Sequence, residues 1–70
     1  MTFQLRIARE DDGRWIGEYP HPPGVFVYGA TRAEAQRRAT VLLLDVLAEQ
    51  IEYGERGLNN ITIIPSPTND

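Results

Sequence analysis

The stretch from Pro20 to Ala35, PHPPGVFVYGATRAEA, constrains the fold of this 70-residue chain more than any other segment. Three prolines among its first four residues fix the backbone φ angle and remove hydrogen-bond donors, so the segment must begin as an irregular loop. The β-branched and aromatic residues 25–28 predict a short strand, which Gly29 ends. Thr31 and Glu34 then form a Thr-x-x-Glu capping box, which predicts the start of a helix.

Upstream of this stretch, the sequence has the pattern of a β-hairpin. Phe3, Leu5 and Ile7 alternate with more polar neighbours, which predicts a strand with one buried face. An acidic turn follows at residues 10–13, and its Asp-Gly pair tolerates the positive φ angles that hairpins need. Residues 15–19 are therefore predicted as a second strand, antiparallel to the first.

The longest regular pattern runs from the capping box to about Tyr53, where apolar residues recur at helical spacing. Gly54 and Gly57 favour the end of the helix there. Residues 61–64 then predict a fourth short strand. The apolar side of the helix, which we expect to face the core, comprises Ala35, Ala39, Leu42, Leu43, Val46, Leu47 and Gln50.

These elements predict an α+β fold of order β-β-β-α-β, with one long helix packed on a face of an antiparallel-rich sheet. We expect a single domain over residues 1–65 and a frayed tail over residues 66–70. A chain of this size buries only about 60% of the surface that its unfolded form exposes. Because it has no cysteine for disulfides, self-association is the expected source of further burial.

The predicted helix has a second apolar stripe beside its core side. A helix that docks on one face needs an apolar arc of only about 100°. Two interpretations stay open at this point: a twisted sheet covers the broader arc, or the second stripe is a contact between copies in a dimer or tetramer. The residues of this stripe are Val41, Leu44, Ala48 and Ile51.

The composition offers little catalytic or metal-binding chemistry. The chain has no cysteine and one histidine, His21, which lies between prolines. No nucleophile and base stand in a recognisable motif, and no glycine-rich phosphate loop is present. The acidic run 10–12 could bind a hard cation, but it is also typical of a solvated turn. We expect no enzyme activity, no catalytic residues, no metal and no cofactor.

The net charge of −3 is unevenly distributed along the chain. Residues 1–38 hold six arginines and five acids, whereas residues 39–70 hold one arginine and five acids. The acidic helix end around Glu49 and Glu52 predicts a basic partner. No apolar run approaches the roughly 20 residues of a membrane span, and the N-terminus lacks the layout of a signal peptide. We therefore expect a cytoplasmic protein that does not bind membranes.

Four aromatic residues on the predicted strands offer an alternative function. An aromatic sheet face can stack the bases of a nucleic acid, but it also needs nearby positive charge to hold phosphates. Only a few arginines lie close to these positions, and a core or protein-contact role is the other interpretation. The four residues are Trp15, Tyr19, Phe26 and Tyr28.

Three motifs occur in an order and spacing that a known family shares. They are Asp12-Gly13-Arg14-Trp15 at the hairpin, Pro20-His21-Pro22-Pro23-Gly24-Val25 in the loop, and Gly29-Ala30-Thr31-Arg32-Ala33-Glu34-Ala35 at the helix start. With them the chain resembles the HicB-like antitoxin family of bacterial toxin–antitoxin systems over residues 3–64. The resemblance implies a partial ribonuclease H-like fold.

The same resemblance implies a non-catalytic function. Such a module would neutralise a small basic HicA-like toxin, an RNA-cleaving enzyme, by occluding it. The six residues after Ile64 are too few for the DNA-binding segment of many members, so no direct DNA binding is expected. An orphan oligomeric regulator without a toxin partner stays open as an alternative. The expected partner-binding residues are Pro20, His21, Pro22, Pro23, Gly24, Glu49 and Glu52.

Overall fold

The computed structural model describes residues 1–57 and 61–65. It confirms the α+β class, with one long helix packed against the sheet. The predicted tail, residues 66–70, lies outside the described residues. The elements in chain order are β1 (Thr2–Gln4), β2 (Arg6–Arg9), β3 (Trp15–Tyr19), β4 (Val25–Gly29), α1 (Arg32–Glu52) and β5 (Thr62–Ile64).

The first predicted strand is two strands in the structure. β1 pairs in parallel with β5, whereas β2 pairs antiparallel with β3, which in turn pairs antiparallel with β4. The change of partner falls at Leu5, whose N–H donates a hydrogen bond of 3.1 Å to the carbonyl of Ile64. The predicted order β-β-β-α-β therefore becomes β-β-β-β-α-β, because one extended segment serves two partners in succession.

The hairpin between β2 and β3 closes through short local hydrogen bonds. Gly13 adopts a φ of 90°, and its N–H donates to the carbonyl of Glu10 at 2.9 Å. The carboxylate of Asp12 accepts from the backbone N–H of Arg14 at 3.0 Å and from its guanidinium at 2.7 Å. Asp12 thus stabilises the turn that the acidic run 10–12 and the Asp-Gly pair predicted.

The helix packs closely on one face of the three-stranded sheet because that face contains glycine and the helix contains alanine. A Cβ at Gly17 would lie 2.6 Å from the carbonyl oxygen of Ala35, and one at Gly29 would lie 2.5 Å from its backbone nitrogen. Around this contact lies the buried core, which comprises Phe3, Leu5, Tyr19, Val25, Ala39, Leu43 and Leu47.

Both ends of α1 have the hydrogen bonds that its sequence predicted. At the start, Thr31 Oγ1 accepts from the N–H of Glu34 at 3.1 Å, and Glu34 Oε1 accepts from the N–H of Ala30 at 2.8 Å. At the end, Gly54 has a φ of 76°, and the N–H groups of residues 54 and 55 reach the carbonyls of residues 51 and 50. This pairing is a Schellman motif, which satisfies the last carbonyls of the helix.

Candidate interaction surfaces

The second apolar stripe of α1 faces away from the sheet. Val41 is 53% exposed and Leu44 is 49% exposed, Ala48 is exposed, and Ile51 is half-buried. The interpretation in which a twisted sheet covers this arc is therefore wrong for Val41 and Leu44. We call Val41, Leu44, Ala48 and Ile51 the outer stripe.

The proline-rich loop between β3 and β4 is held by its middle residues. The ring of His21 lies parallel to that of Phe3, with centroids 6.2 Å apart and an interplanar angle of 3°. Pro22 is buried, and the His21–Pro22 peptide bond is cis. The exposed residues of the loop are Pro20, His21, Pro23 and Gly24. The loop is thus packed against the protein through Pro22 and the His21 ring, and its other residues face solvent.

This loop and the C-terminal end of α1 lie at the same end of the molecule. The guanidinium of Arg56 lies 5.2 Å from the centroid of the Phe3 ring on which His21 stacks. Arg56 also donates from Nε to the side-chain oxygen of Gln50 at 2.7 Å. Phe3 therefore links the loop to the helix end, where Glu49 and Glu52 are exposed.

The acids near this end outnumber the bases among the described residues. Asp45, Glu49, Glu52 and Glu55 are exposed between residues 45 and 57, where Arg56 is the single basic residue. The guanidinium of the half-buried Arg56 contacts Phe3, Gln50 and Met1 of the same chain. The loop and the segment that follows α1 thus meet at Phe3, through His21 and Arg56. We call residues 20–24 together with Glu49 and Glu52 the acidic end surface.

The four aromatic residues that suggested a base-stacking face do not share a face. Tyr19 is only 1% exposed, and its hydroxyl lies 3.0 Å from Thr40 Oγ1. Trp15 pairs with Gly29 and so lies on the helix side, between Arg9 and Arg32 at 5.9 and 5.8 Å. Phe26 and Tyr28 lie on the opposite side. Strand alternation separates the two pairs. Phe26 is in register with Glu18, and on β3 Glu18 points to the side opposite that of Trp15 and Tyr19.

The opposite side of the three-stranded sheet is a second exposed surface. Phe26 and Tyr28 are 46% and 39% exposed, and their rings meet edge to face with centroids 5.4 Å apart. The guanidinium of Arg14 lies 4.2 Å from the centroid of the Tyr28 ring. Ile16 is in register with Tyr28 on the same side. No sequence pattern predicted the Arg14–Tyr28 contact, because it depends on the register of β3 with β4.

Two carboxylates with shifted pKa values are structural. The backbone hydrogen bond from Arg14 lowers the pKa of Asp12, and the Arg14 side chain lowers it further. The N–H of Ala30 lowers the pKa of Glu34, with a contribution from the charge of Arg38. Both groups stabilise local turns in their charged form. Neither lies in the outer stripe or in the acidic end surface.

Metal and membrane sites can be assessed for residues 1–57 and 61–65. Within these ranges, no three histidine, cysteine, aspartate or glutamate side chains stand close enough together to hold a metal ion. In the acidic run 10–12, the carboxylate of Asp12 is engaged by Arg14. No helix within the same ranges is long and apolar enough to cross a membrane.

Comparison with known proteins gives no independent identification. No family model, curated protein or solved structure matches this chain.

Proposed function

We propose that this chain is a non-catalytic protein-interaction module, similar to HicB-like antitoxins, that occludes a small basic RNA-cleaving toxin. Two observations support the proposal: His21 of the loop and Arg56 after α1 both contact the ring of Phe3, and Glu49 and Glu52 are exposed near the C-terminal end of α1. The proposal places the protein in the bacterial cytoplasm. It also includes self-association through the outer stripe.

The charge of the acidic end surface suits a basic partner. Glu49 and Glu52 are exposed and lie one helical turn apart on α1. A cluster of one sign steers an oppositely charged partner and accelerates its encounter. A protein that binds RNA has a basic surface for phosphates. Covering that surface with carboxylates would exclude the RNA without any chemical step.

The proline-rich loop would contribute an ordered contact surface to the complex. Pro20 and Pro23 have restricted backbones, and His21 is already stacked on Phe3. Binding through such a segment costs little conformational entropy, because its backbone is ordered before the partner arrives. His21 adds an exposed polar ring next to the exposed Pro20.

Titration calorimetry with a HicA-like toxin whose catalytic histidine is replaced by alanine tests the proposal. We expect Glu49→Arg to weaken binding by about tenfold, because it reverses a charge that faces the basic partner. The loss should shrink at high salt, which screens exposed charges. Asp11→Arg is the matched control, since it makes the same charge change at the hairpin tip, at the opposite end of β3.

Two results would contradict the proposal. One is that the wild-type chain neither binds the toxin nor relieves growth arrest when the two are co-expressed. The other is that Asp11→Arg weakens binding as much as Glu49→Arg, which would show an effect of total charge and not of the acidic end surface.

A further inference from the structure

The outer stripe continues into a basic residue at one end and an acidic residue at the other. Arg37 lies four residues before Val41, and Glu52 lies four residues after Ala48. Because α-helices have 3.6 residues per turn, residues three or four apart lie on the same side of the helix. The outward side of α1 therefore runs from the positive charge of Arg37, along the outer stripe, to the negative charge of Glu52, with the exposed Asp45 at the edge of the stripe.

We propose that a second copy of this chain docks on the outer stripe with its α1 antiparallel, about a twofold axis at Leu44. The midpoint between Arg37 and Glu52 coincides with the midpoint between Val41 and Ala48, just after Leu44. In this arrangement Arg37 of each copy faces Glu52 of the other. Val41 of each copy faces Ala48 of the other, so a larger side chain meets a smaller one.

Charge selects the antiparallel orientation. In a parallel pair with the same register, Arg37 would face Arg37 and Glu52 would face Glu52, so both ends of the contact would repel. Like-charge contacts across an interface disfavour the wrong arrangement. The antiparallel pair replaces both repulsions with attractions and keeps Leu44 at the centre in either case.

The acidic residues at the C-terminal end of α1 do not stabilise the isolated helix. A helix is stabilised by acids in its first turn and bases in its last turn. The last turn of α1 contains no basic residue, and Glu49 and Glu52 lie at its negative end. An arginine from a second copy would offset this unfavourable position. Glu52 thus has a physical use in the pair that it lacks in a single chain.

This inference rests on the self-association proposed above, and its test does not involve the toxin. It assigns Glu52 of the acidic end surface to the contact between copies and leaves Glu49 and the loop for the toxin. Glu49 lies about 60° further around the helix, away from the outer stripe, and stays accessible to a basic partner. A contact made by one helix from each copy is small beside the roughly 800 Å² per partner of a typical stable complex. We therefore expect a dimer that dissociates in the micromolar range.

Analytical ultracentrifugation of the full chain, from about 1 µM to about 1 mM, measures the dimer directly. We expect Arg37→Glu and Glu52→Arg each to weaken it by about tenfold, because each places like charges at both ends. The double variant Arg37→Glu/Glu52→Arg restores opposite charges and should return to within about threefold of the wild type. In a parallel pair the two single changes would leave repulsion in place and alter little.

Leu44→Glu tests the centre of the contact, and Phe26→Glu is its matched control. The two side chains are exposed to a similar extent, at 49% and 46%, on opposite sides of the molecule. We expect Leu44→Glu to weaken the dimer by about 100-fold or more, since central apolar residues dominate such contacts. Phe26→Glu should leave it unchanged. Circular dichroism checks that each variant is folded.

The outcomes separate this inference from the broader proposals. A wild-type dimer that both charge variants leave unchanged overturns the antiparallel arrangement. Dissociation by Phe26→Glu and not by Leu44→Glu overturns the outer stripe as the contact. A wild-type chain that is monomeric at every concentration overturns self-association as well. Toxin binding is measured separately through Glu49, so its failure leaves these results intact.

Discussion

Gly17 shows at the scale of one residue why α1 can lie directly on the sheet. A Cβ built at this position would meet the carbonyl oxygen of Ala35 at 2.6 Å and the Cβ of Ala39 at 3.2 Å. Backbone atoms of a helix cannot move aside as the tip of a side chain can. The close approach of β3 and α1 therefore depends on the absence of a side chain here.

Replacing this glycine should destabilise the fold. We expect Gly17→Ala to lower the free energy of unfolding by about 1–3 kcal/mol, the usual cost of overpacking a close contact. Urea denaturation followed by Trp15 fluorescence measures the change. Gly57→Ala is the matched control, because no atom lies within 4 Å of its added Cβ. Equal stability of the two variants would contradict the proposed role of the Gly17 contact.

At the scale of one element, the start of α1 is held by a carboxylate that both accepts a hydrogen bond and pairs with an arginine. Glu34 accepts the N–H of Ala30 at 2.8 Å and lies 3.8 Å from the guanidinium of Arg38. Arg38 in turn donates to the carbonyl of Tyr28 on β4 at 3.1 Å. The capping residues thus tie the helix to the strand that precedes it, beyond the local role that the Thr-x-x-Glu pattern predicted.

The stability gained from Glu34 should depend on pH in one direction. Folding lowers its pKa below the ordinary value of 4.5, through the N–H of Ala30 first and Arg38 second. The contribution is therefore complete above the unfolded pKa and is lost as pH falls through the folded pKa. The difference in Tm between wild type and Glu34→Gln should be largest near neutral pH and vanish in acid. A difference that does not change with pH would contradict this prediction.

At the scale of the whole molecule, the chain has exposed apolar side chains on two opposite sides. Leu44 and Val41 project from the helix layer, and Phe26 and Tyr28 project from the sheet layer. On the helix side, Arg37 and Glu52 lie beyond the two ends of the outer stripe, whereas on the sheet side Arg14 contacts Tyr28 and Glu18 is in register with Phe26. The proposed self-association uses the helix layer, where Arg37 and Glu52 lie symmetrically about a point just after Leu44, and no partner is proposed for the sheet layer.

The proposed self-association predicts that thermal stability depends on protein concentration. Because the folded dimer is favoured by mass action, its Tm should rise by several degrees between about 10 µM and about 1 mM chain. Leu44→Glu should unfold at a Tm that does not change with concentration, since the monomer unfolds alone. Differential scanning calorimetry measures both. A wild-type Tm that is constant over this range would contradict the prediction.

Much of this fold follows from local chemistry in the sequence. The capping box of Thr31 and Glu34, the glycine after Tyr53 and the Asp-Gly turn act through atoms a few residues apart, so their patterns predicted the real structures. Phe3 and Leu5 alternate with more polar residues, and this pattern likewise predicted that their side chains are buried. Such features need no knowledge of how distant segments meet.

Tertiary pairing decided the rest. The sequence could not show that Leu5 is where one extended segment changes partner, because β5 comes from the other end of the chain. It placed Trp15, Tyr19, Phe26 and Tyr28 on one hypothetical face, which strand register divides between two sides. It left the outer stripe with two interpretations, and only the position of the sheet relative to α1 showed that Val41 and Leu44 stay exposed. Register and layer packing join residues far apart in the chain, so they depend on the assembled molecule and not on any local pattern.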